Sequence, residues 1–189
     1  SARLFTLLEK AGVPTHYLQT VSETGMLIRR LDMFQVEFVV RNIAAGSLCK
    51  RIGYLEGTPL KKAPVVEYYY KDDGLGDPLL CQSHLEELAV VDPEDLAETT
   101  RLSRLVNSVL KEFFAARGVT LVDFKLEFGK DATGAVRLGD EISPDTCRFW
   151  DIGTGKKLDK DRFRRDMGDV EDAYEEILRR VSSEPGTVV

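Results

Sequence analysis

Leu121-Val122-Asp123-Phe124-Lys125-Leu126-Glu127-Phe128-Gly129 alternates strictly between apolar and charged side chains from Val122 to Phe128. Successive side chains of a β-strand point to opposite faces. Val122, Phe124, Leu126 and Phe128 therefore line one side, and Asp123, Lys125 and Glu127 the other. Taken alone, this is an amphipathic strand of a half-solvated antiparallel sheet, with its charges facing water.

The segment that follows shifts that balance. Lys130-Asp131-Ala132-Thr133-Gly134 reads as a hairpin turn between strands at 119–129 and 135–142. The returning chain, Gly139-Asp140-Glu141-Ile142-Ser143-Pro144-Asp145-Thr146-Cys147-Arg148, brings Asp140, Glu141 and Asp145 to the strand end beside Glu127. Carboxylates gathered beside one lysine repel each other unless a cation sits among them. Magnesium takes oxygen ligands, usually one or two carboxylates plus substrate phosphates. Glu127 and Asp140 are the natural pair across the hairpin, which leaves Lys125 free to contact an anionic group. Asp140 shares parity with Val136 and Leu138, so a bulge or strand end near Gly139 must turn it towards Glu127.

A second constellation is Val40-Arg41-Asn42-Ile43-Ala44-Ala45-Gly46-Ser47-Leu48-Cys49-Lys50-Arg51. Small residues let a ligand approach the backbone closely. Arg41 and Ser47 are suited to donate to a phosphate, the arginine as a bidentate fork. The same residues also read as a helix N-terminus capped by Ser47, with Lys50 and Arg51 solvated. Neither GxGxxG nor GxxxxGK[ST] occurs, so neither the dinucleotide fingerprint nor a P-loop is present.

Elsewhere, Leu4, Leu7, Leu8 and Ala11 recur at helical spacing before Gly12. Residues 13–20 and 26–31 form β-leaning runs about a turn at 22–25, and 36–41 and 65–70 read as strands. Residues 71–78 are a polar, glycine-rich loop. Asp92 and Pro93 open a long helix whose stripe runs from Leu102 to Phe114 and which Gly118 ends. A last helix carries Val170, Tyr174, Ile177, Leu178 and Val181, before a Glu184-Pro185-Gly186 tail expected to fray. Strands followed by mixed helices and hairpins predict an α+β architecture.

The balance of 26 Lys+Arg against 32 Asp+Glu gives a net charge of −6, which excludes a general nucleic-acid binder. With 43% hydrophobic and 31% charged residues, the 189-residue chain has a globular composition, which excludes a disordered or fibrous protein. No apolar run approaches the ~20 residues of a membrane span. Three cysteines without a CxxC pair, and two histidines, assemble no zinc site of usual spacing. Reduced thiols and a cytoplasmic location are expected. The chain begins at Ser1, inside a helical pattern, and is expected to be truncated or processed.

Five blocks together closely resemble the SAICAR synthetase family: VRNIAAGS at 40–47, KDDGLGDP at 71–78, LVDFKLEFG at 121–129, GDEISPDTCRFWD at 139–151 and DKDRFRRDMG at 159–168. They stand in family order, and the similarity runs from residue 4 to 181. The resemblance implies a two-lobed α+β fold with antiparallel sheets and flanking helices. Residues 1–36 would be the remainder of the smaller ATP-binding lobe, and 37–189 the larger substrate-binding and catalytic lobe. Family members open with a YEGKAK-like glycine-rich turn that this sequence lacks, so the ATP lobe is expected to be incomplete.

The implied activity is an ATP-dependent carbon–nitrogen ligase of de novo purine biosynthesis. It would join L-aspartate to the carboxylate of the ribonucleotide CAIR through an acyl phosphate, with ATP and Mg2+ required. Carried over by position, Glu127 and Asp140 resemble the magnesium carboxylates. Lys125 would contact the reacting carboxylate or phosphoryl oxygens, and Arg41, Ser47 and Arg148 would grip the 5′-phosphate. Asp123 is a general-base candidate, with an orienting role for Lys125 equally open. Asp145, Lys71 and Asp77 would lie at or near the substrates, and Met33 would touch adenine or simply pack in the core. Apolar surface on the last helix is compatible with a homodimer; neither nucleic acid nor membrane is expected as a partner. The residues alone leave two other readings open, a different small-molecule phosphotransferase and a non-catalytic ribonucleotide-binding fragment.

Overall fold

The computed structural model describes residues 1–159 and 170–183. Residues 160–168 of the DKDRFRRDMG block and the Glu184-Pro185-Gly186 tail lie outside the described residues. In chain order the elements are α1 (Ala2–Lys10), β1 (Tyr17–Thr20), β2 (Met26–Ile28), β3 (Asp32–Arg41), α2 (Ser47–Ile52), β4 (Val65–Tyr70), a 3-10 turn (Asp73–Leu75) and β5 (Leu79–Leu80). They continue with α3 (Gln82–Leu88), α4 (Pro93–Ala115), β6 (Val119–Lys130), β7 (Val136–Leu138), β8 (Cys147–Asp151) and α5 (Val170–Ser182). The expected α+β class is observed.

The main sheet runs β5-β4-β3-β6-β7, β8 pairs with β6, and β1 and β2 form a separate antiparallel pair. By internal contacts the chain divides into two units. The first comprises Ser1–Val40, Val66–Val106 and Lys125–Ile142; the second comprises Arg41–Val65, Asn107–Phe124 and Ser143–Val189. In the first unit, Phe38 meets the rings of Tyr68 and Phe128 edge-on, at centroid distances of 5.6 and 5.2 Å. In the second, Phe114 packs on Phe149 at 4.5 Å.

Helix α4 follows its sequence signals. Pro93 opens it, and Leu102, Val106, Leu110 and Phe114, four residues apart, are fully buried. Beside that stripe the buried hydroxyls of Thr99 and Ser103 donate to the carbonyls of Asp95 and Thr99, at 2.8 and 2.7 Å.

Four expectations change. β3 starts at Asp32 rather than near residue 36. The return strand ends at Leu138 rather than reaching 142, because Gly139 is followed by Asp140 at φ +55, where a strand cannot continue. Helix α3 and strand β8 occupy segments that carried no helix or strand signal in the sequence. Strand β6 is largely buried on both faces, with Asp123 and Glu127 only 3% and 5% exposed, so its two carboxylates do not face water, while Lys125 is half-buried.

Candidate active site

In the first unit, five charged side chains form one cluster centred on Lys125 and Glu127. β6 supplies Lys125 and Glu127, β3 supplies Glu37, Lys71 follows β4, and Asp140 follows β7. Lys125 Nζ lies 2.5 Å from Glu127 Oε1, 3.0 Å from Asp140 Oδ2 and 3.2 Å from Glu37 Oε1. Lys71 Nζ binds the other Glu127 oxygen. The Gly139 amide donates to the Glu127 carbonyl at 2.9 Å, and the left-handed turn at Asp140 then swings its carboxylate onto Lys125. This strand end supplies the change of direction that side-chain parity required.

Burial opposes ionisation of Glu127, but hydrogen bonds from Lys125 and Lys71 outweigh it and hold the carboxyl below its ordinary value. Burial likewise works against the Lys125 charge, yet its bonds to Glu127 and Asp140 raise it well above an ordinary lysine. Glu127 and Lys125 therefore face each other as a charged pair at neutral pH. Three carboxylates hold Lys125, so an anion there would share it with them. One lysine does not stand alone against the carboxylates, because Lys71 joins it.

A cleft of about 510 Å³ opens beside this cluster, with Glu127, Asp140, Met33, Arg29, Arg30 and His16 on its walls. Met33 packs so closely on Gly139 that a Cβ there would come within 3.1 Å of its terminal methyl. Glu127 and Asp140 carry hard oxygen donors of the kind magnesium takes, and both lie on Lys125, at 2.5 and 3.0 Å. Among the described residues no group of three or more His, Cys, Asp or Glu could hold a metal, so substrate oxygens would have to complete the shell.

The second unit holds an arginine cluster. Arg41 ends β3, Asp123 lies in β6 and Arg148 in β8. A bulge at Val122 puts Arg148 directly across from Asp123, although Leu121 already pairs with Phe149. Arg41 Nη1 lies 2.6 Å from Asp123 Oδ2, and Arg148 Nη1 lies 2.8 and 3.0 Å from the two carboxylate oxygens. Burial pushes the Asp123 carboxyl up, with Arg148 and Arg41 pulling against it. A buried carboxylate gripped by two guanidiniums is badly placed to take a proton from an incoming amine. Asp123, the general-base candidate, is thus bound on both its oxygens by guanidiniums.

Gly46, at φ +55, lies against Arg148; a Cβ there would stand 2.7 Å from Arg148 Nη2. Gly46, not Ser47, occupies the cap position of α2, and it makes no side-chain cap bond. Ser47 is the first residue of the helix, and its hydroxyl accepts from Arg51 Nη1 at 2.8 Å. Asp145 accepts from the Tyr174 hydroxyl at 2.7 Å. Asp77, at φ +48, accepts from the Asp72 amide at 3.1 Å and so stitches its own loop.

All three cysteines are free thiols, and burial pushes the pKa of Cys147 up to about 12. One cluster member and one residue of the cleft wall carried no signal in the sequence. Glu37 sits in an apolar strand whose neighbour was not legible, and His16, 4% exposed on the cleft wall, lies in a β-leaning run that shows no chemistry.

A family model described as SAICAR synthetase matches residues 1–181. The chain belongs to the SAICAR synthetase family. Among SAICAR synthetases, the phosphoribosylaminoimidazole-succinocarboxamide synthase of Chlorobium limicola is 59% identical over 181 residues, covering 96% of this chain and 76% of that one. A SAICAR synthetase (Type-2) solved in complex with ADP superposes with a TM-score of 0.92 at 45% identity, covering 98% of this chain and 78% of that one. The Ehrlichia chaffeensis enzyme gives a TM-score of 0.93 at 40% identity, covering 98% and 79%.

Proposed function

We propose that this chain ligates L-aspartate to the carboxylate of CAIR at the expense of ATP, giving SAICAR, ADP and phosphate in de novo purine biosynthesis. A CAIR carboxylate oxygen attacks the γ-phosphorus and ADP leaves. The aspartate nitrogen then attacks the acyl carbon, the carbon–oxygen bond to phosphate breaks, and the nitrogen gives up a proton to solvent. The observation that carries this reading is the gathering of Glu127 and Asp140 on Lys125.

Lys125 and Lys71 place two ammonium groups where a transferring phosphoryl group builds negative charge. Glu127 and Asp140 would hold Mg2+ with the nucleotide phosphates. When bound, that ion supplies charge neutralisation for the transferred group. Met33, on the wall of the cleft, would touch adenine. Arg148 and Ser47 bind the ribonucleotide 5′-phosphate with Arg41 behind them, and Asp123 aligns the two guanidiniums. Asp145, oriented by Tyr174, and Asp77, in its own loop, would each lie at or near a substrate.

The same proposal assigns residues 1–36 to an ATP-binding lobe and 37–189 to the substrate lobe, in a cytoplasmic enzyme. Among the described residues no helix is long and apolar enough to cross a membrane. Leu178, 66% exposed on α5, offers an apolar point for homodimer contact. The test is ADP release with ATP, CAIR and L-aspartate. Release that requires both co-substrates supports ligation. Release that ignores aspartate marks a phosphotransferase, and CAIR binding without release marks a binding fragment.

A further inference from the structure

Behind the arginine cluster lies a buried amide pair that the proposed reaction does not use directly. Asn42 and Asn107 are 6% and 4% exposed, and their side chains exchange two hydrogen bonds. Asn42 Nδ2 donates to Asn107 Oδ1 at 2.7 Å, and Asn107 Nδ2 donates back to Asn42 Oδ1 at 3.1 Å. The second Asn42 amide hydrogen goes to the Leu121 carbonyl at 3.2 Å.

The Asn42 backbone is just as occupied. Its N–H, and that of Ile43, donate to the Val122 carbonyl at 2.8 and 3.2 Å, and its carbonyl accepts from Leu60 at 3.1 Å. Asn107 thus fixes Asn42, and Asn42 fixes the backbone at 121–122. The residues flanking those two anchor points are Arg41 and Asp123, which form the 2.6 Å ion pair that aligns Arg148.

Position 107 is buried, 4% exposed, where an apolar side chain would need no hydrogen-bond partner. A buried amide there is costly unless its bonds are made, and once made they fix a single geometry. We propose that Asn107 is a positioning residue for the arginine cluster. Through Asn42 it sets the separation of Arg41 and Asp123, and hence the affinity for the substrate phosphate. The proposal rests on the reading of Arg148 as a phosphate ligand.

The test is steady-state kinetics of Asn107→Ala against each substrate in turn. KM for CAIR rises about tenfold or more, the size expected from stranding a buried amide, while KM for ATP and for L-aspartate stays within about twofold. Asn107→Ser, which keeps a short donor, recovers part of the loss. The double variant Asn42→Ala/Asn107→Ala is no worse than the poorer single one.

Arg148→Ala separates the two levels of the argument. If it leaves KM for CAIR unchanged, the phosphate reading fails and the proposal falls with it. If Arg148→Ala raises KM for CAIR but Asn107→Ala does not, or shifts all three constants alike, the positioning role is overturned. Should neither Asn107→Ala nor Asn107→Ser fold, the pair is scaffold and the proposal is equally overturned.

Discussion

Glu127→Gln exchanges one carboxylate oxygen for an amide nitrogen at constant volume, so it probes charge and not packing. The wild-type side chain is 7% exposed and bound by Lys71 and Lys125, themselves 33% and 27% exposed. Breaking a fully buried pair costs about 3–5 kcal/mol. Exposed pairs are worth less than about 1 kcal/mol. One buried partner and two partly exposed ones place the loss at about 2 kcal/mol. For a chain of this size that corresponds to a Tm lowered by about 4–8 °C.

The pH dependence fixes the cause. The Glu127 carboxyl is held below its ordinary 4.5, so its contribution is present above that value and fades as pH falls through the lower folded one. Lys125 is raised above 10.5, so its share is present below that value and fades only as pH climbs through the higher folded one. The Tm gap between wild type and Glu127→Gln should therefore stay flat from about pH 5.5 to 10 and close in acid. Calorimetric scans across that range provide the check. A gap that vanishes between pH 5.5 and 7, or a variant as stable as wild type, would refute the electrostatic account.

Asp140→Asn should abolish turnover by at least about a hundredfold while lowering Tm by no more than about 2 °C, because asparagine tolerates the left-handed backbone at φ +55. Turnover near normal at saturating magnesium would remove Asp140 from the metal assignment. Arg148→Ala should raise KM for CAIR about tenfold or more with kcat changed little, read from initial rates. Gly46→Ala should do the same in milder form and also lower Tm, since its Cβ would collide with Arg148 Nη2 at 2.7 Å.

The alternation from Val122 to Phe128 predicted strand β6 because a period of two needs no knowledge of neighbours. Burial of both its faces did not show, since one of the two arginines that hold Asp123 is 82 residues away in the chain and the other 25. Asp140 had to turn, and parity said so, but the turn arises from a left-handed residue that no spacing encodes. Helix α3 escaped notice because Leu85 is its single buried residue, too little to show a period. Asn107 did leave a trace. Thr99, Ser103 and Asn107 recur every four residues beside the apolar stripe of α4, and all three are buried. A polar ladder at helical spacing next to a core stripe marks hydrogen bonds that tertiary structure must satisfy.

Oxygen transfer reaches the chemistry most directly. With both carboxylate oxygens of CAIR labelled with oxygen-18, activation by ATP requires one labelled atom to leave in the released phosphate and one to remain in the amide of SAICAR. Phosphate free of label would mean that ATP never takes hold of that carboxylate, and the roles given to Lys125, Glu127 and Asp140 would go with it.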